Sequence, residues 1–270
     1  MLRVHFAASA VLLLLLLLAA GCGASAVATD SVVDRGEITS TDPVSTPTAG
    51  SSAGESVDVP GDGPTRATTP MPSGPARTFT VAGDSISVGL GRQLVGLVGG
   101  GVTVDVIGVQ GTGLAFPNGY DWPARAEEIA EGNPPDVFVF SVGTNDFVDL
   151  LDDSGAVVAR WGEPGWSVAY AARLARVFDA FSDTGTQVWW VGHVCVERAV
   201  ICETNREIHA LAVALGRDRP WVRIADLGEL LGFGDEPATG CLAADGIHLD
   251  AECLHDAAAE LLAPAVPAVR

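Results

Sequence analysis

The chain has 270 residues and a formal net charge of −19 at pH 7, and its 15 basic residues are all arginine. No basic stripe exists to neutralise phosphates, which excludes a polyanionic partner such as nucleic acid. The charge instead suits the solubility of an exported protein.

Residues 1–21 read as a leader to be set aside from fold reasoning. Arg3 is the one formal charge before an apolar run from Val11 to Ala20, too short and too early for a comfortable membrane span. The run ends in Ala19-Ala20-Gly21-Cys22, which resembles a bacterial lipobox. That resemblance implies a lipidated Cys22 as the mature N-terminus, anchored to the outer face of the cell membrane. The alternative is an ordinary signal peptide with an incidental cysteine. Residues 22–76 are Ser, Thr, Gly, Pro, Ala and Asp with few large apolar side chains. Such a stretch cannot bury enough surface to offset its ordering entropy, so a tether is expected.

Residues 77–270 are ample for one α/β domain. Strands are expected at Thr78–Ala82, Val102–Ile107, Val137–Val142, Gln187–Val191 and Val222–Ala225. Between them fall helical patterns: Ile86, Leu90, Leu94 and Leu97 on one face, then Trp122–Glu131, Ser167–Phe181 and Asn205–Leu215. Ala251–Leu262 closes the domain as a helix. The alternation predicts a three-layer α/β/α domain with a central parallel five-stranded sheet, as in flavodoxin-like folds. Ligands of such sheets bind at the carboxyl ends of the strands.

Two of those strand ends carry chemistry-bearing strings. Gly83-Asp84-Ser85-Ile86-Ser87 follows the first strand, and Gly143-Thr144-Asn145-Asp146 follows the third. Near the C-terminus stands Asp245-Gly246-Ile247-His248, a carboxylate three residues before a histidine. A nucleophilic serine needs a base, and the base needs an orienting partner. Taken singly each string is bland: a helix-start serine is often a cap, Asp-Gly a turn, and Thr-Asn-Asp an Asx turn. The pattern is not Gly-x-Ser-x-Gly of an α/β-hydrolase, nor Gly-x-Gly-x-x-Gly of a dinucleotide site.

In this order the strings resemble the SGNH hydrolases, also called GDSL-type esterases, from about Arg77 to the C-terminus. The resemblance implies Ser85 as nucleophile, His248 as general base and Asp245 as its orienting partner. It implies an oxyanion hole of the Ser85 backbone N–H, the Gly111 backbone N–H and the Asn145 amide. The second-block loop departs from the family, reading Val106-Ile107 where an asparagine is common. Gly111-Thr112-Gly113-Leu114 and Asp121-Trp122-Pro123 are also similar to SGNH domains accompanying cell-surface O-acyltransferases. The implied substrate is an acyl ester, with an O-acetylated envelope glycan the candidate. No cofactor or metal is called for, and a monomer is expected. The rival readings are a lipase or thioesterase of the same mechanism, and a non-catalytic glycan- or lipid-binding module on the same fold.

Four cysteines remain beside Cys22: Cys195, Cys202, Cys241 and Cys253. An even count in an exported chain suggests two disulfides, with three pairings possible. The local one, Cys195–Cys202 with Cys241–Cys253, is the simplest. Zinc knuckle spacing is absent. Ser87 sits inside the helix and is a poor nucleophile candidate. His193 follows a strand and is expected either to line the pocket or, in preference, to support the residues that do, and His209 and His255 to be structural or solvated. Trp122, Trp161 and Trp166 are candidates either for a substrate platform or for packing.

Overall fold

A computed structural model describes residues 75–116 and 119–263. The expected leader, Cys22 and all but the last two residues of the tether lie outside the described residues. Five strands form one parallel sheet: β1 (Thr78–Gly83), β2 (Thr103–Val106), β3 (Val137–Ser141), β6 (Gln187–Gly192) and β7 (Val222–Asp226), in the order β2-β1-β3-β6-β7. The chain therefore reverses direction across the sheet between β1 and β3. That is where a doubly wound sheet opens a crevice at its carboxyl edge.

Alternation along the strands builds two cores. Phe79, Val81, Val137, Val139, Trp189 and Val191 face one side and meet α1 (Ser85–Leu97) and α6 (Ala251–Leu262). Phe138, Phe140, Val188 and Trp190 face the other, against α2 (Trp122–Gly132), α3 (Pro164–Asp179) and α4 (Ala199–Gly216). Trp189 and Trp190 thus divide between the two cores, as adjacent strand residues must. The central strand β3 is buried at all five positions, the pattern of a parallel strand covered on both faces.

Some boundaries differ from the sequence expectation. Helix α3 starts at Pro164 rather than Ser167, because proline is tolerated in a first helical turn and its apolar face begins with Trp166. Helix α4 starts six residues before Asn205, at Ala199. Its first turn carries Cys202, bonded to Cys195, so the tie to the preceding loop extends the helix. Three short elements go beyond the sequence expectation: the paired strands β4 (Leu150–Leu151) and β5 (Val157–Ala159), and α5 (Leu227–Leu230). All are too brief for periodicity to register.

Two joints position the site. Strand β1 ends at Gly83, where a Cβ would lie 1.8 Å from the Ser141 carbonyl oxygen. Only glycine lets β1 and β3 remain paired at that point. Asp84 then caps α1, its carboxylate accepting from the Ile86 N–H at 2.9 Å. Ser85 is left as the first residue of the helix, directly on the rim.

Candidate active site

Ser85, His248 and Asp245 converge although 163 positions separate the serine from the histidine. His248 Nε2 lies 2.8 Å from Ser85 Oγ, and His248 Nδ1 lies 2.6 Å from Asp245 Oδ2. Ser85 Oγ can therefore donate to Nε2, with Nδ1–H donating to the carboxylate. The other Asp245 oxygen accepts from the backbone N–H groups of Ile247 and His248, both at 2.9 Å. These bonds close a tight turn through Gly246. The histidine side chain above all, and the two backbone donors, hold the Asp245 carboxyl at a pKa of about 2. It is a permanent anion wherever histidines titrate.

The turn itself is tied down. An antiparallel bridge joins Leu242 to Leu249, Ala243 N–H donates to the His248 carbonyl at 2.7 Å, and Asp250 N–H donates to the Cys241 carbonyl at 2.8 Å. Asp250 caps α6, and Cys241 is disulfide-bonded to Cys253 in its first turn. Both disulfides follow the local pairing. Helix α6 packs on α1, with Leu254 in contact at Gly89. Ser85 thus opens one helix, and the turn bearing His248 leads directly into a second helix that packs on the first.

Asn145 comes from the loop after β3. Its Nδ2 donates to the Thr112 carbonyl at 2.9 Å, which fixes the orientation of the amide and leaves a second N–H as a potential donor. Thr112 adjoins Gly111, so the amide and the second-block loop are brought together. Gly111 has φ +74, with open space where a Cβ would stand. Its glycine is required by backbone conformation and not by crowding. The Ser85 N–H, as the first of the helix, has no intrahelical acceptor, and the N-terminal end of the α1 dipole favours negative charge.

Behind this rim lies a buried polar layer that the motifs did not announce. Asp146 accepts from Leu114 N–H at 3.2 Å, Ala115 N–H at 2.8 Å and the Tyr170 hydroxyl at 2.7 Å. It therefore clamps the second-block loop beside Asn145. Burial raises its pKa to about 6 against the pull of those donors. Burial likewise pushes the Asp84 carboxyl well upward, which favours its neutral form one residue before Ser85. The adjacency of Asp146 to Asn145 was a signal for its role. Tyr170, on α3, had none.

The remaining candidates separate cleanly. Ser87 is fully buried and its hydroxyl donates to the Asp84 carbonyl at 2.7 Å, inside the helix and away from the base. Trp122 and Trp166 are 1% exposed, so packing and not a platform explains them. Asp121-Trp122-Pro123 forms a helix start, with Asp121 capping α2 and Trp122 Nε1 donating to Thr112 Oγ1 at 3.0 Å. Half-buried Trp161 donates from Nε1 to Thr204 Oγ1 at 3.1 Å. His209 pairs with Asp226 at 3.3 Å, and His255 is exposed on α6. Among the described residues, no group of three or more His, Cys, Asp and Glu could hold a metal ion.

The sheet order and the helices on both its faces give the chain the fold of the SGNH hydrolases. The chain belongs to the family described as protein of unknown function (DUF459), which matches residues 78–236. That match ends before Asp245 and His248. Among solved structures, Axe2, an acetyl-xylooligosaccharide esterase from Geobacillus stearothermophilus, is similar with TM-score 0.52 and 18% identity, over 70% of this chain and 94% of that one. The native M. smegmatis aryl esterase is similar with TM-score 0.50 and 15% identity, over 69% of this chain and 96% of that one. No curated protein matches the sequence.

Proposed function

We propose that this protein is an extracytoplasmic serine esterase that hydrolyses or transfers acyl groups of O-acyl esters. One observation carries the proposal: Ser85 Oγ, His248 and Asp245 stand in a single hydrogen-bonded line, at 2.8 and 2.6 Å. In the proposed reaction Ser85 Oγ attacks the ester carbonyl carbon as His248 Nε2 takes its proton. The new C–O bond converts the carbonyl oxygen to an oxyanion. The Ser85 N–H, the Gly111 N–H and the free Asn145 N–H face that charge as it develops. Collapse breaks the ester C–O bond, and His248 returns the proton to the leaving alcohol. Water, or a sugar hydroxyl in a transfer reaction, then repeats the sequence in reverse on the acyl-serine. Asp245 holds Nδ1–H and balances the imidazolium.

Acyl esters on an envelope glycan are the substrate class we propose. The side chains of Asp245 and His248 are 49% and 42% exposed, so the base sits on an open surface that a polymer chain can reach. The two disulfides suit an oxidising compartment. We propose export by residues 1–21, lipidation of Cys22 and tethering by residues 22–76, with the hydrolase domain spanning 77–270. Release of acetate from O-acetylated glycan fragments, set beside a nitrophenyl ester chain-length series, tests the substrate. Preference for acetate esters supports it, and preference for long acyl chains points to a lipase.

A further inference from the structure

His193 follows β6 at the same rim and is 7% exposed. Its ring bridges two side chains of the β3 end. Nε2 lies 2.8 Å from Ser141 Oγ, and Nδ1 lies 2.6 Å from Thr144 Oγ1. The proton positions follow from the partners. Ser141 spends its own hydrogen on the Val191 carbonyl at 2.8 Å, so it must accept from His193. Nε2 therefore carries the hydrogen, and bare Nδ1 accepts from the Thr144 hydroxyl. Burial keeps the ring neutral, with a pKa of about 3, so this arrangement persists at any working pH.

Thr144 is the residue immediately before Asn145. On the other side of Asn145, Asp146 is held by Leu114, Ala115 and Tyr170. The Asn145 backbone is thus suspended between two buried anchors. The Asp146 anchor fixes it to the second-block loop. The Thr144 anchor ties it to the end of β1, because His193 also donates to Ser141, whose carbonyl accepts at 3.0 Å from the N–H of Asp84, the cap of the helix that begins with Ser85. We infer that His193 is a positioning residue, a neutral strut that sets the Asn145 amide against Ser85 by holding the Thr144 hydroxyl. The inference rests on the esterase reading and goes beyond it, since nothing in the hydrolytic chemistry itself requires a second histidine.

Steady-state kinetics on p-nitrophenyl acetate with purified protein test this. Thr144→Val keeps the side-chain shape and removes the donor. Thr144→Ser keeps the donor. Thr144→Val should lower kcat about 10- to 100-fold with little change in KM, the scale expected when a catalytic group is misplaced by a fraction of an ångström to 1 Å. Thr144→Ser should stay within a few-fold of wild type. Because the strut acts through Asn145, Thr144→Val should cost almost nothing further in an Asn145→Ala background. His193→Phe should behave like Thr144→Val if it folds, and the threonine variants decide the matter if it does not. Thermal denaturation of each variant separates structural from positioning effects. Undiminished kcat in Thr144→Val, or a loss that multiplies fully with Asn145→Ala, overturns the inference while leaving the esterase reading intact. A wild-type protein without ester turnover defeats that reading and takes the inference with it.

Discussion

In the proposed mechanism the Asn145 side chain is one of three oxyanion donors. The bond to the Thr112 carbonyl fixes the Asn145 amide in the loop. Asn145→Ala should lower kcat by about 10²–10³-fold, the usual cost of one oxyanion donor, with KM affected less. Equal losses in kcat and in substrate affinity would show that Asn145 only supports the loop. Acidity tests the base. Asp245 stays ionised down to about pH 2, so it cannot cause a loss of activity in milder acid. In the proposed reaction only a neutral imidazole accepts the serine proton, so kcat/KM should fall as the solution is made acidic. A flat profile between pH 8 and pH 4 would remove His248 as base. At this scale the sequence was informative where chemistry demands particular side chains in fixed local order, as in Asp245-Gly246-Ile247-His248. It was silent on Tyr170 and on the Thr144–His193 bond, since these contacts join residues 24 and 49 positions apart. No local pattern marks such partners.

Among the elements, the turn between Leu242 and Leu249 carries two of the three residues of the proposed triad. It is closed by a backbone bridge, a helix cap and the Cys241–Cys253 disulfide. Closing a loop of this size is worth ~3 kcal/mol in the chain-entropy model, less any native strain. We expect reduction to lower activity before it unfolds the domain, because the turn gains motion while both cores stay packed. Parallel measurement of esterase rate and tryptophan fluorescence against reductant checks this. Simultaneous loss of both signals would mean that the bridge serves stability alone. Strands were legible from their apolar runs, and Ser85 and Asn145 were placed at strand ends by patterning alone. Helix starts were less legible. The periodic face of α4 begins later than the helix itself, whose first turn is tied by Cys202 to Cys195. A covalent tie between loop and helix leaves no trace in hydrophobic spacing.

In the whole molecule, site and stability share buried acids. Asp146 has a folded pKa of about 6, above the ordinary unfolded value of about 3.9. The folded state therefore binds its proton more tightly. The stability this contributes is complete below about pH 4 and is lost as pH rises through 6. Above that, the buried anion depends on its three donors. Tyr170→Phe removes one of them and should cost about 1.5–3 kcal/mol at pH 8, the range for a hydrogen bond to a charged group. At pH 5 the cost should be smaller. Denaturant unfolding at the two values checks it, and an equal or larger cost at pH 5 would contradict the assignment. The layered architecture was readable from βα alternation, whereas the buried polar layer that braces the rim emerged only in three dimensions. Central to the account is a nucleophilic Ser85, and intact-protein mass spectrometry with peptide mapping after fluorophosphonate treatment tests it most directly. A single adduct on Ser85, lost together with nitrophenyl ester hydrolysis in Ser85→Ala, is the predicted result. An unlabelled Ser85 in the wild-type protein, or full hydrolysis by Ser85→Ala, would contradict it.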